Sequence, residues 1–220
     1  MPRRRRIILS GFPHHVTHRG NRKGSIFLER EDRLFYLTKL REYSSHYQVR
    51  IFSYCLMTNH IHLIALPESQ SGLSRCMHAV HGTYSCYFNR KYQLVGHLWQ
   101  ERFYACILEG THLWNAVRYV EQNPLRAQIV QEAADYPWSS AAAHCGLRRD
   151  PILDPNFPPE GLIADWRVWL LTGLTDEVLQ QIRTSTWKGV PCGSRAFLKE
   201  LERLLDVPLL PRKRGRKTQL

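Results

Sequence analysis

The amino-acid sequence predicts an α+β fold: a ferredoxin-like, split β-α-β antiparallel sheet with an added helix and a mainly helical C-terminal extension. Three observations lead there. Short apolar runs alternate with segments of helical period in the order β-α-β-β-α-β, and one more helix comes after them. A long apolar run interrupted at Thr58-Asn59 reads as a hairpin inside that order. Beyond about residue 145 the composition changes, with Pro151, Pro155, Pro158 and Pro159 in a linker-like stretch.

Each element has its own signal. His14 to His18 (HHVTH) alternates in part and runs into the turn signal Gly20-Asn21, which reads as a first strand. Residues 29–47 carry Leu34, Leu37 and Leu40 at helical spacing, with charges between them. Val49 to Met57 is β-branched and aromatic, and His60 to Leu66 is apolar up to Pro67; these form the hairpin. Leu73, Met77, Val80, Tyr84 and Tyr87 then step by four and three, a helical stripe whose ordinary use is core packing. Phe103 to Leu108 suggests a further strand. Thr111 can cap a helix through Trp114, Val117 and Val120, which Pro124 ends or kinks. Two short amphipathic segments come later, near 174–183 and 194–205. The expected organisation is residues 1–145 as the sheet-bearing domain with a basic N-terminal arm. Residues 146–220 are the linker, short helices and a basic tail.

At 220 residues the chain can bury a sizeable core, and 43% hydrophobic residues exclude a disordered polyelectrolyte. Its +12 charge is unevenly placed: Arg3, Arg4, Arg5 and Arg6 form one run, and Arg212, Lys213, Arg214, Arg216 and Lys217 a second. Nine of the twelve net charges sit there, leaving +3 for residues 7–211. A nearly balanced globule with two basic arms points to a polyanionic partner, most often nucleic acid. Solvated tails that aid solubility are the alternative. No apolar run is long enough to cross a membrane, and the first Arg run is followed by too few apolar residues for a secretory signal. A cytoplasmic, nucleoid-associated chain with no membrane partner is therefore expected. The six cysteines include no Cys-x-x-Cys pair, which argues against a zinc ribbon and for reduced core thiols. There is no Gly-x-x-x-x-Gly-Lys-Ser/Thr loop, so any chemistry on DNA runs without a nucleotide-driven motor of that type.

His60-Ile61-His62 is the strongest chemical feature. In a strand, residues i and i+2 share a face, so both imidazoles point one way and make half of a metal site. Partly buried structural histidines would show the same spacing. Tyr119 and Asn123 are four apart on the helix before Pro124, hence on one helical face, where a phenol and a carboxamide could supply a nucleophile and an oxygen ligand together. A core tyrosine beside a helix-terminating Asn-Pro reads the same way. Tyr84, Tyr87, Tyr92 and Tyr104 are rival nucleophiles, and the pattern alone does not choose among them.

Four ordered motifs carry a resemblance: HVTHRGN at His15 to Asn21, YCLMTNHIHLIAL at Tyr54 to Leu66, HLWQERF at His97 to Phe103, and RYVEQNPLRA at Arg118 to Ala127. Together they resemble the single-tyrosine HUH transposases, and among these the REP-associated tyrosine transposases. The YPWSS run at Tyr136 to Ser140 and the basic tail extend the likeness nearly end to end. The resemblance implies that His60 and His62 are the metal pair, that Tyr119 is the catalytic tyrosine on the added helix, and that Asn123 is a third ligand. Thr58 stands where relatives often have proline, a change in the hairpin turn that removes no ligand.

The same resemblance implies a metal-dependent single-strand DNA endonuclease and strand transferase, acting at hairpins or repeated palindromes through a 5′-phosphotyrosine. The cation would be Mg²⁺ or Mn²⁺; imidazole ligands suit Mn²⁺, and cellular abundance favours Mg²⁺. The DNA contacts fall to Arg3, Arg4, Arg5, Arg6 and Arg19 at one end and Arg212, Lys213, Arg214, Arg216 and Lys217 at the other. Arg214-Gly215-Arg216 resembles a minor-groove hook. Two other classes predict different products: a domesticated nucleic-acid-binding regulator that never cuts, and a hydrolase using water as nucleophile. Such a fold is compatible with a monomer and with a homodimer that exchanges catalytic helices.

Overall fold

The computed structural model describes residues 6–159 and 161–209. Arg3, Arg4 and Arg5 of the first basic run, and Arg212, Lys213, Arg214, Arg216 and Lys217 of the second, lie outside the described residues.

Four strands, β1 (His14–Arg19), β2 (Val49–Met57), β3 (His60–Pro67) and β4 (Tyr104–Ile107), form one sheet in the order β2-β3-β1-β4. Every neighbouring pair is antiparallel, so the split β-α-β arrangement expected from the sequence is the one observed. Helices α1 (Arg30–His46) and α2 (Gly72–Tyr92) make the two crossovers. The chain continues through α3 (Gly110–Glu121), α4 (Asn123–Arg126), α5 (Ala141–His144), α6 (Trp166–Leu171), α7 (Asp176–Lys188) and α8 (Arg195–Leu205).

The sheet is covered on both faces, which is why β3 reads as a nearly continuous apolar run. Ile61, Leu63 and Ala65 join Val16, Leu40, Leu73, Met77 and Tyr84 in the layer under α1 and α2. Ile64, with Phe52, Cys55 and Cys106, packs against Val117 and Val120 of α3, Trp166 and Leu170 of α6 and Ile182 of α7. The period of two along β3 therefore sends Ile61 into one layer and both histidines toward the other. A buried carboxylate ties the first layer together: Asp32 accepts from the backbone N–H groups of Leu28 and Glu29, from Lys91 Nζ, and from the Tyr87 and Tyr92 hydroxyls.

The loop after β1 holds the hairpin tip. Gly20 N–H donates to Asn59 O at 2.8 Å, and Ile26 N–H to Thr58 O at 2.9 Å. A Cβ at Gly20 would run into the Gly24 carbonyl and the Ile26 side chain, so this close approach requires glycine.

Some local expectations shift. β4 is Tyr104–Ile107, shorter than Phe103 to Leu108, because Leu108 already donates to Pro13 O as the chain turns away. Thr111 is not the cap of α3: extended Glu109 holds that position, and Thr111 falls in the first turn. The break expected at Pro124 falls just before it: α3 stops at Glu121, and Pro124 sits in the first turn of α4, where its missing N–H leaves no bond unmade. α5 and α6, of four and six residues, are too short to show a helical period in the sequence. The segments near 174–183 and 194–205 are α7 and α8.

Candidate active site

The site is built where β1, β3, α3 and α7 meet. Antiparallel pairing sets Thr17 opposite His62 and Arg19 opposite His60, so His15, Thr17, Arg19, His60 and His62 share one face. His60 and His62 lie edge to face with ring centroids 4.9 Å apart, and His15 stacks on His62 at 5.1 Å. Tyr119, on α3, stands edge-on to both buried imidazoles, 5.4 Å from His62 and 5.6 Å from His15. The rival tyrosines are engaged apart from the histidine pair, and only Tyr104 shares its face of the sheet. Tyr84 is sealed in the opposite layer and donates to Ile26 O; Tyr87 and Tyr92 serve Asp32; Tyr104, on edge strand β4, donates to Glu101 Oε2.

Four side chains fix the end of α3 that carries Tyr119. Asn123 Nδ2 donates to Tyr119 O at 2.9 Å, leaving its Oδ1 without a protein partner among the described residues. Arg126 donates to the same carbonyl at 3.1 Å while its guanidinium stands 4.4 Å from the Tyr119 ring centroid. The Arg126 Nη1 is buried and unpartnered among the described residues, a charged donor aimed at nothing in the protein. Gln122 Nε2 donates to Leu170 O near the end of α6 and to Thr172 O just past it. Glu121, fully buried, accepts from Trp166 Nε1 at 2.7 Å and from Ser53 Oγ at 3.2 Å, and pairs with Ser140 and with His144 Nδ1 at 2.6 Å.

The Glu121 cluster is an anchor: it joins α3 to β2, α5 and α6 two residues after Tyr119. Glu121→Ala leaves its donors facing a void, which should cost about 3–5 kcal/mol of stability. In a urea titration the midpoint should fall with little change in slope. A curve superimposable on that of the wild type would show that the cluster carries no such load.

Electrostatics keep the histidines neutral. Burial, and then Arg19, lowers His60 to about 4; burial lowers His15 to about 3. Burial lowers His62 well below the ordinary imidazole value, with further lowering from His60, His15, Arg126 and Arg19. Neutral imidazoles keep lone pairs, which is what a metal requires of them. Each Nδ1 is already engaged, His60 with Asn59 Oδ1 at 2.7 Å and His62 with His15 Nε2 at 2.9 Å. Each Nε2 is free of protein hydrogen bonds among the described residues, as is Asn123 Oδ1, so two imidazole nitrogens and an amide oxygen are left as donors of types that suit a divalent cation. Among the described residues no group of three His, Cys, Asp or Glu side chains gathers as a metal cluster.

Of the residues expected to contact DNA, Arg19 is exposed beside His60, on the face of the site. Arg6 is half-buried and docked: it donates to Phe103 O at 2.6 Å with its guanidinium 3.5 Å over the Phe103 ring. Sequence reasoning missed the roles of His15, Arg183 and Thr186. The exposed Arg183 approaches the Tyr119 ring at 5.8 Å. His15 could have been found from the strand order, which puts β1 beside β3 with odd-numbered residues on the histidine face. Nothing local marks α7 as a neighbour of this site.

Comparison with known proteins agrees with the fold. The family model "Transposase IS200 like" matches residues 10–123, which span β1 to Asn123. A solved structure of a REP-associated tyrosine transposase bound to a REP hairpin aligns with a TM-score of 0.55 at 19% identity, covering 70% of this chain and 92% of that one. A crystal structure of a Deinococcus radiodurans R1 protein, assigned as a transposase, aligns at 15% identity over 60% of this chain and 94% of that one. Its TM-score of 0.38 says nothing about the fold. No curated protein matches the sequence. No helix among the described residues is long and apolar enough to cross a membrane. With the family match spanning more than half of its length, the chain belongs to the IS200-like transposase family.

Proposed function

We propose that this transposase is a metal-dependent single-strand DNA endonuclease and strand transferase that acts at hairpins or repeated palindromes, with Tyr119 as its nucleophile. The observation that carries the reading is the Tyr119 ring set edge-on against His62, with Arg126 over its face. In the step, Tyr119 Oη attacks the scissile phosphorus, the new Oη–P bond replaces the P–O3′ bond, and the phenol gives up its proton as the leaving 3′-oxygen gains one. The 5′-phosphotyrosine keeps the energy of the phosphodiester, so a 3′-hydroxyl can reverse the attack and rejoin strands.

His60 Nε2, His62 Nε2 and Asn123 Oδ1 would hold the divalent cation, Mg²⁺ or Mn²⁺. When bound, it supplies polarisation of the phosphoryl oxygens and stabilisation of the leaving oxygen. The protein's own donors do the rest. Arg126 offers an unpartnered N–H beside the nucleophile, and Arg19 and Arg183 offer positive charge at the edge of the site for the flanking phosphates. The tyrosine and histidines of one chain face each other, which supports a catalytic helix that serves its own subunit over one exchanged between subunits.

The solved transposase–hairpin complex supports a structured DNA partner, and the basic terminal runs are suited to track its phosphates. A denaturing gel of hairpin DNA carrying single-stranded flanks tests the reading, with label on either side of the scissile bond. The expected product is a 3′-hydroxyl strand plus a strand retained on protein through its 5′ end. A free 5′-phosphate would identify water as nucleophile, and binding without cleavage in Mg²⁺ and Mn²⁺ would identify a non-cutting regulator; either overturns the proposal.

A further inference from the structure

A chain of buried hydrogen bonds runs from α7 to the histidine pair, and its direction can be worked out proton by proton. Thr186 Oγ1 donates to Ile182 O, four residues back in α7, at 2.8 Å. Its one proton is thereby used, so the same oxygen accepts from His15 Nδ1, 2.7 Å away. Cys106 Sγ, at 3.2 Å, is placed to donate to the remaining lone pair. His15 then carries its proton on Nδ1, and its bare Nε2 accepts from His62 Nδ1 at 2.9 Å. His62 in turn carries its proton on Nδ1 and presents an unprotonated Nε2. Both rings are almost completely buried, at 1% and 5% exposure, and no carboxylate bonds either one among the described residues.

We propose that His15 and Thr186 are positioning residues that fix the tautomer of His62, so that its Nε2 is held ready as a metal ligand. The inference rests on the metal-binding reading of His60 and His62. It gives the C-terminal extension a part in the site, since Thr186 lies well past the residues that match the family model. The reverse tautomer shows why the direction matters. A His15 protonated on Nε2 would require His62 Nδ1 to accept, moving the His62 proton onto Nε2 and removing the ligand. In the observed arrangement that state is opposed by Thr186, because its hydroxyl proton is held by the Ile182 carbonyl. Partners behind a ligating histidine typically change metal affinity about 10–100-fold.

Thr186→Val removes the hydroxyl at nearly constant volume, and Thr186→Ser keeps it. Two readouts are independent of DNA cleavage: ¹⁵N NMR of the histidine rings without metal, and Mn²⁺ binding monitored by the loss of the free-ion EPR signal. The wild type and Thr186→Ser should show His62 protonated on Nδ1 alone and bind Mn²⁺ alike. Thr186→Val should lose the single tautomer and bind Mn²⁺ about 10–100-fold more weakly. If Thr186→Val does not fold, His15→Gln, whose carboxamide oxygen can accept in place of Nε2, is compared with His15→Leu; only the former should keep the wild-type behaviour. A Thr186→Val protein with wild-type tautomer and affinity overturns the relay. His62→Ala separates this from failure of the site: if it binds Mn²⁺ as the wild type does, the metal reading fails whatever the tautomer.

Discussion

Tyr119→Phe is expected to abolish the covalent protein–DNA adduct and to lower strand cleavage by about 10⁴-fold or more, while hairpin affinity stays at the wild-type value. The substitution removes one oxygen and keeps the ring that stands edge-on to His15 and His62 and lies under Arg126. Backbone contacts are untouched: Asn123 and Arg126 bond the Tyr119 carbonyl, not its side chain. A large loss of cleavage with an unchanged fold and unchanged DNA binding thus isolates the nucleophile. Cleavage by the variant at the wild-type rate would move the chemistry to another group, and Tyr104, the one rival on the histidine face, would be tested first.

His62→Ala is expected to reduce single-turnover cleavage by about 10³-fold or more and to remove its dependence on Mn²⁺ or Mg²⁺. The ring is buried and central, so the variant also loses packing and leaves His15 Nε2 without its donor. A stability loss of about 1–3 kcal/mol accompanies the change. Cleavage is therefore compared well below the unfolding midpoint of the variant. His60→Ala removes the more exposed member of the pair and should show a similar metal effect with a smaller stability loss. Undiminished cleavage by wild-type protein in chelator would eliminate the metal role for both residues.

Much of this architecture is written in local sequence. The hairpin of β2 and β3, with its break at Thr58-Asn59, is legible because strand-forming and apolar residues predominate on either side of a two-residue turn. The common face of His60 and His62 comes from strand periodicity alone, and the i, i+4 spacing of Tyr119 and Asn123 from helix geometry. What brings the two pairs together does not. That depends on the β2-β3-β1-β4 order and on α3 packing over β2 and β3, both long-range facts. The anchor at Glu121 is illegible for a related reason: its partners Ser53, Ser140, His144 and Trp166 come from three separate segments, β2, α5 with its cap, and α6. Thr186 is 171 residues from His15 in sequence, and no periodicity could have joined them. The structure also sharpens the reading of the charge. Arg6 belongs to a run that suggests a free arm, yet its guanidinium is committed to Phe103, whereas the isolated Arg19 stands at the mouth of the site.

The central claim, that Tyr119 forms the covalent bond to DNA, is tested most directly by mapping that bond. Wild-type protein reacted with hairpin DNA in Mn²⁺ is digested with protease and nuclease, and the nucleotide-bearing peptide is sequenced by mass spectrometry. The expected result is a single modified peptide containing Arg118-Tyr119-Val120, with the mass of a 5′-linked nucleotide on the tyrosine. A nucleotide on any other residue, or complete cleavage with no nucleotide-bearing peptide, would contradict the account.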